Sequence, residues 1–132
     1  MIASVNGVAA GAGCSIALAC DIRIAAESAS FIEAFVNIGL APDAGSTFML
    51  PRLIGVARAM EMAITGRKVT AAEAVQIGLV NQVVPDDQLA AATKKLADKL
   101  AGLPTRAIGL TKRAINASWR SDIETQLDYE AM

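Results

Sequence analysis

The first feature that could do chemistry is the sequence Gly-Ala-Gly-Cys at residues 11–14, which stands where a helix is predicted to begin. The first N–H groups of a helix have no acceptor within the helix, and they lie at the positive end of its dipole. Two such donors can hold an oxyanion. The same small residues would also suit close packing of the helix against a strand, so spacing alone leaves both interpretations open. Nucleotide-binding motifs are not matched, because no third glycine follows at dinucleotide spacing and no P-loop lysine is present.

The second feature is an acidic residue in a turn. Asp43 stands between Pro42 and Gly45, two residues typical of tight turns. Such an aspartate can simply help to form the turn. It can also act as a general base, which would require partial burial of its carboxylate. The apolar residues that surround it in the sequence are compatible with such burial: Ile38, Leu40, Ala41 and Phe48.

The remaining charged residues are interpreted as solvated. Glu33 stands among apolar neighbours in a predicted strand, where an exposed side chain is the default expectation. The lysine and arginine groups of the C-terminal half are most simply exposed helix faces. Phosphate binding is the alternative for that set, which comprises Lys94, Lys95, Lys99, Lys112 and Arg113.

Composition excludes several classes of protein. The 132 residues suit one domain, and 54 % hydrophobic with 4 % aromatic residues predicts an aliphatic core. A net charge of -1 without charged runs argues against a nucleic-acid surface. The absence of histidine removes Ser-His and Cys-His catalysis and the commonest metal ligand, so no metal site is predicted. Cys14 and Cys20 are expected to be buried and reduced, which favours a cytoplasmic setting. No apolar run approaches the roughly 20 residues of a membrane span.

The elements that must position these groups alternate in type. Strands are predicted over residues 2–6, 21–26 and 31–34, with a helix at 11–19 after the first of them. From Ser46 onward the pattern is mostly helical, and Pro51 is expected to divide the first stretch into two short helices. Capping boxes are predicted at residues 70–73 and 121–124. The order predicts an α/β fold. Because the chain opens inside a strand and ends inside a helix, we expect a fragment truncated at both ends.

The motifs and their spacing resemble those of the crotonase (enoyl-CoA hydratase/isomerase) superfamily over nearly the whole chain. The resemblance implies part of a ββα spiral at residues 1–84, a helical oligomerisation region at residues 85–132, and an absent N-terminal half. The segments that carry it are Val5-Asn6-Gly7-Val8-Ala9-Ala10-Gly11-Ala12-Gly13-Cys14, Cys20-Asp21-Ile22-Arg23-Ile24-Ala25, Ala44-Gly45-Ser46-Thr47, Leu50-Pro51-Arg52-Leu53-Ile54-Gly55 and Gly78-Leu79-Val80.

The resemblance also implies roles for individual residues. Ala12 falls on the second of two backbone donors that polarise the thioester carbonyl, and the first donor lies upstream of Met1. Hydratases of the family use two glutamates, but those positions hold Ser15 and Phe35 here, which disfavours hydration. Asp43 falls where isomerase-type members, including epoxyphenylacetyl-CoA isomerases, carry a catalytic aspartate. Substrate contacts are expected at Gly11, Ser15, Phe35 and Leu40.

The function implied by the resemblance is an enoyl-CoA isomerase acting on an acyl-CoA thioester, with Asp43 as acid and base. The substrate carries the coenzyme A, and no other cofactor is expected. Family members assemble as trimers or paired trimers, so a homotrimer or hexamer is expected. Alternatives stay open: a hydratase-like lyase that uses other acids, a thioester hydrolase or dehalogenase, and an inactive structural fragment.

Overall fold

The computed structural model describes residues 1–131 as a mixed α/β chain, which confirms the predicted class. Short strands alternate with helices in the first half, and helices predominate after residue 85. The elements are β1 (Ile2–Val5), β2 (Val8–Ala10), α1 (Ala12–Ala19), β3 (Ile22–Ala26), β4 (Ser30–Ile32), a 3-10 helix (Ala34–Ile38), α2 (Ser46–Ile54), α3 (Val56–Thr65), β5 (Lys68–Thr70), α4 (Ala71–Gln76), β6 (Gln82–Val84), a second 3-10 helix (Asp86–Gln88), α5 (Leu89–Ala101), α6 (Thr105–Ser118) and α7 (Ile123–Ala131).

Within residues 1–131 the strands form two small sheets of three strands each. Strands β1, β3 and β6 are parallel, with Ile2 opposite Ile22 and Ile24 opposite Gln82. Strand β2 pairs with β4 in parallel, and β5 is antiparallel to β4. Each strand of the pair β1–β2 therefore lies beside its counterpart in the pair β3–β4, with α1 as the crossover. Consecutive ββα units that stack in this way are the spiral that the resemblance implied.

The core of this region is aliphatic. Phe31, Leu18, Ile24 and Met62 are among its largest fully buried side chains. Both cysteines are free and buried, as expected. Burial of apolar surface contributes roughly 25 cal/mol per Å² and is the main source of stability for such short strands.

Contacts divide the chain into two compact units, residues 1–94 and 95–132, so the division falls inside α5. The first unit contains both sheets and α1 to α4. In the second unit the buried Gln126 of α7 donates through Nε2 to the carbonyl oxygen of Ala114 in α6, at 3.1 Å. A buried side-chain bond of this kind fixes the pairing of those two helices. The boundary predicted at residue 84 stays a prediction.

Two local predictions were wrong. Pro51 lies inside α2 and does not divide it. A proline removes one N–H donor from a helix, but packing of the buried Leu50 and Ile54 on the same helix outweighs that loss. At the start of α7 the cap is Asp122, whose Oδ1 accepts the Thr125 N–H at 2.8 Å, and not the expected serine.

Only one of the two hydrogen bonds of the capping box predicted at residues 70–73 is formed. The Thr70 hydroxyl accepts the Glu73 N–H at 3.3 Å, as expected. The Glu73 carboxylate instead binds the Arg67 guanidinium through both oxygens, at 2.7 and 3.0 Å. A bidentate ion pair of this kind competes successfully with the weaker bond to a backbone donor.

Arg23 joins three segments of the first unit. It is 5 % exposed, and its guanidinium donates to the carbonyl oxygens of Leu79, Leu18 and Cys20. Burial lowers the pKa of Arg23 from its ordinary value. These bonds satisfy carbonyls at the end of α1 and before β6 that would otherwise be buried without a donor.

We expect Arg23→Met to lower the free energy of unfolding by about 2 kcal/mol, because it leaves buried carbonyls without a charged donor. Urea unfolding followed by circular dichroism measures the change. Arg106→Met, at an exposed position of α6, is the control. Equal stability of the two variants would contradict this role of Arg23.

Candidate active site

The start of α1 has a backbone that glycine alone adopts readily. Gly11, which precedes the helix, has φ 52° and ψ -124°. Its N–H donates to the carbonyl oxygen of Ile32 at 2.9 Å, so the helix start is tied to the end of β4. Ala12 is the exposed first residue of α1, and its N–H is one of the donors that have no acceptor within the helix.

Ser15 joins the first turn of α1 to Asp43. Its side chain is 1 % exposed, and its hydroxyl lies 3.3 Å from each of two carbonyl oxygens, those of Gly11 and Asp43. The N–H of Ser46 donates to the same Asp43 oxygen at 3.1 Å. The carbonyl oxygen of Asp43 is therefore within hydrogen-bond distance of one donor in α1 and one in α2. Ser15 was expected at the substrate, and the contacts it makes are with the backbone on which Asp43 stands.

The turn that carries Asp43 contains strained backbone. Ala44 has φ 50° and is the only non-glycine residue with positive φ among residues 1–131, and Gly45 follows with φ 83°. Such a conformation costs of order 1–3 kcal/mol and often occurs at functional sites. It ends the extended segment so that α2 can begin at Ser46. The Asp43 side chain is exposed in this chain, which differs from the partial burial that a general base was expected to need.

The two remaining expected contacts lie close to this turn. Phe35, in the 3-10 helix Ala34–Ile38, is 7 % exposed. Its Cζ lies 3.9 Å from the point where a Cβ on Gly11 would be, so the ring packs against the start of α1. Leu40 is 58 % exposed, and its N–H donates to the Phe35 carbonyl oxygen at 3.0 Å. The structure thus brings together Gly11, Ala12, Ser15, Phe35 and Asp43, with Leu40 at the edge of the group.

Glu33 is buried, and the expectation that it is solvated was wrong. Its side chain is 0 % exposed, and Oε2 accepts the Ser46 hydroxyl at 3.1 Å. Burial raises the pKa of Glu33, and the nearby Asp43 charge raises it further, while Cys14 and Ser46 oppose the rise. The signal was present in the sequence. Side chains two residues apart in an extended segment point to the same face, and Phe31 is a core residue.

An apolar cleft lies beside the turn. Its volume is about 290 Å³, near the lower end of the range typical of ligand sites. Pro42 and Ser46, which flank the Asp43 turn, form one side of it. The other lining residues belong to α2 and α3: Thr47, Leu50, Pro51, Val56, Ala59, Met60 and Ala63.

Metal-ligand side chains do not gather within residues 1–131: no group of three or more Cys, Asp or Glu is placed to hold an ion. In the same part of the chain, no helix combines the length and the apolar character that a membrane crossing requires.

Comparison with known proteins gives consistent matches. Residues 1–132 match the family model described as enoyl-CoA hydratase/isomerase. The chain is 49 % identical over 130 residues to a 1,2-epoxyphenylacetyl-CoA isomerase of Escherichia coli K12, covering 98 % of this chain and 50 % of that protein. It is 42 % identical over 131 residues to a short-chain-enoyl-CoA hydratase of Clostridium acetobutylicum, covering 99 % and 50 %.

The fold is similar to that of solved structures. A protein from Thermobifida fusca YX, crystallised in complex with CoA, superimposes with a TM-score of 0.95 at 41 % identity, covering 98 % of this chain and 51 % of that one. The chain thus spans about half the length of the relatives it matches.

Proposed function

Because this chain belongs to the enoyl-CoA hydratase/isomerase family, we propose that it supplies the acid–base half of an enoyl-CoA isomerase site, with Asp43 as the group that moves the proton. One observation carries the proposal. The backbone carbonyl of Asp43 lies against the first turn of α1 through Ser15, so the residue that carries the carboxylate is next to the residues whose N–H groups begin the helix. Enolate chemistry needs those two groups together.

The proposed reaction is an allylic proton shift in a 3-enoyl-CoA. The Asp43 carboxylate removes a proton from the carbon next to the thioester carbonyl, and the electron pair of that C–H bond moves into the enolate. The enolate oxygen accepts a hydrogen bond from the Ala12 N–H and from one further backbone donor. Protonated Asp43 then returns the proton two carbons along the chain. The double bond moves into conjugation, and no oxidant or second substrate is consumed.

The apolar cleft would hold the acyl chain. It adjoins the turn at Pro42 and Ser46, and its remaining lining is apolar apart from Thr47. Leu40, exposed on the segment before the turn, would contact the same chain. Removal of apolar surface from water stabilises binding by about 0.8 kcal/mol for each buried methylene group. The Thermobifida fusca relative, solved with CoA, supports a coenzyme A derivative as the ligand class.

Hydration is the second candidate, because the Clostridium acetobutylicum relative is named a hydratase. Two-carboxylate hydration needs a pair of acids at the positions that hold Ser15 and Phe35 here. Neither a serine hydroxyl nor a phenyl ring can replace a carboxylate as a general acid or base. A hydratase would therefore have to use other acids.

The test assays the full gene product that carries this sequence with two substrates in parallel. We expect 3-hexenoyl-CoA to be converted to the conjugated 2-enoyl-CoA, followed by ultraviolet absorbance. We expect crotonyl-CoA to be hydrated at least about tenfold more slowly, since the hydratase acids are absent. Hydration without isomerisation would overturn the proposal. Release of free CoA, or an aspartyl adduct found by mass spectrometry, would indicate a hydrolase or dehalogenase.

A further inference from the structure

Glu33 is the only fully buried acid among the described residues. Its Oε2 accepts the Ser46 hydroxyl, and its Oε1 has no hydrogen-bond partner. The groups that act on it from the surrounding elements are Cys14 of α1, Ser46 of α2 and Asp43 of the turn, and none of them is basic. The donors near this buried carboxylate are the neutral Ser46 hydroxyl and Cys14 thiol, and no cation is among the groups that act on it. Burial therefore raises the pKa of Glu33, and the group keeps its proton to higher pH than an exposed glutamate does.

The pKa of the neighbouring Cys14 thiol is raised as well. Burial raises the pKa of Cys14, and the neighbouring Glu33 raises it further. Cys14 therefore stays a neutral thiol over the range in which Glu33 titrates.

The position of Glu33 connects it to the proposed base. Ser46, whose hydroxyl it binds, is the first residue of α2 and also donates its N–H to the Asp43 carbonyl oxygen at 3.1 Å. Glu33 therefore accepts a hydrogen bond from Ser46, the same residue that donates its N–H to Asp43. Ionisation of the buried Glu33 would add a second negative charge near Asp43, and repulsion between the two carboxylates is one of the causes that raise the pKa of Glu33.

We propose that Glu33 is a positioning residue of the reaction, which in its uncharged form fixes the Asp43 turn through Ser46. The inference rests on the proposed isomerase function, and it adds a second carboxyl group to a site in which Asp43 alone was expected. In this role Glu33 does not contact the substrate.

One arm of the test measures stability and does not depend on catalysis. The folded state binds the Glu33 proton more tightly than the unfolded state, so this contribution to stability is fully present below pH 4.5 and is lost as pH rises toward the raised pKa. As pH rises from 4.5 to the raised pKa, the unfolding constant of the unmodified chain should therefore increase relative to that of Glu33→Gln, by up to about tenfold per pH unit. Glu27→Gln, at an exposed position, is the control and should show no such trend. If the ratio of the two unfolding constants, unmodified chain to Glu33→Gln, does not change with pH, the proposal that Glu33 is uncharged is wrong.

The other arm measures isomerisation by the full gene product, normalised to folded enzyme. Glu33→Gln keeps an acceptor for Ser46 and should keep kcat within about threefold. It should also abolish the fall in kcat that we expect in the unmodified enzyme as Glu33 ionises at higher pH. Glu33→Met removes the acceptor and Ser46→Ala removes the donor. Each should lower kcat about tenfold with KM nearly unchanged, because a displaced base affects the chemical step.

The outcomes separate the two proposals. Loss of activity in Glu33→Gln, or full kcat in both Glu33→Met and Ser46→Ala, would overturn the positioning role while leaving the isomerase assignment intact. If the unmodified gene product does not isomerise 3-enoyl-CoA at all, the isomerase proposal and the positioning role fail together, and the stability arm still decides whether Glu33 is uncharged.

Discussion

Asp43→Asn is expected to lower kcat for 3-enoyl-CoA isomerisation at least about 100-fold, with little change in KM. The amide has nearly the shape of the carboxylate but cannot accept the proton from the carbon next to the thioester. The side chain is exposed, and it is the backbone carbonyl of residue 43 that accepts bonds from Ser15 and Ser46. The substitution should therefore leave the turn intact and change the free energy of unfolding by no more than about 0.5 kcal/mol.

The matched control for this variant is Asp87→Asn, at an exposed position in the second 3-10 helix. Both variants lose one negative charge, so any general electrostatic effect on binding of the anionic substrate appears in both. Steady-state kinetics with 3-hexenoyl-CoA measure the difference. Near-normal turnover by Asp43→Asn would remove Asp43 from the mechanism and leave the proton transfer to another acid.

The sequence predicted the fold class and most of the larger elements because their signals are local. The helix start after Gly11, the alternation of β3 and the turn at Asp43 each depend on a few adjacent residues. Strands β2 and β5, three residues each, were not predicted, since so short a run shows no periodicity. They exist because they pair with β4, a contact that sequence alone does not reveal.

The residues predicted for the site lie close together in the structure, but the hydrogen bonds that connect them were not predicted. The hydrogen bond from Ser15 to Asp43 joins residues 28 positions apart, and the substrate contact expected of Ser15 stays a prediction. Glu33 was judged by residue type, because acids are seldom fully buried. Its burial follows from tertiary packing around Phe31, and the Ser46 hydroxyl donates a hydrogen bond to it there. Pairing of this kind decides the charge state of a buried group, and it becomes visible only in three dimensions.

The second large effect is expected for Gly11→Ala, through the backbone rather than through crowding. A Cβ at this position would meet only Phe35 Cζ, at 3.9 Å, which is an ordinary contact. The dihedral angles, φ 52° and ψ -124°, are however unfavourable for alanine, and holding them would cost about 1–3 kcal/mol. We expect the peptide to relax, which displaces both the Ala12 N–H and the Gly11 carbonyl oxygen beside the Ser15 hydroxyl.

That displacement should lower kcat about 100-fold per folded enzyme, the effect of losing one oxyanion donor. Gly78→Ala is the control, because Gly78 also has positive φ (83°) and lies before β6 rather than at α1. Both variants should lose stability in urea unfolding, but only Gly11→Ala should lose kcat, since strain alone does not move a donor. Equal kcat in the two variants would mean that the Ala12 N–H does not stabilise the enolate. Asp43 would then work opposite some other donor, and the glycine at position 11 would serve only the packing of α1 against β4.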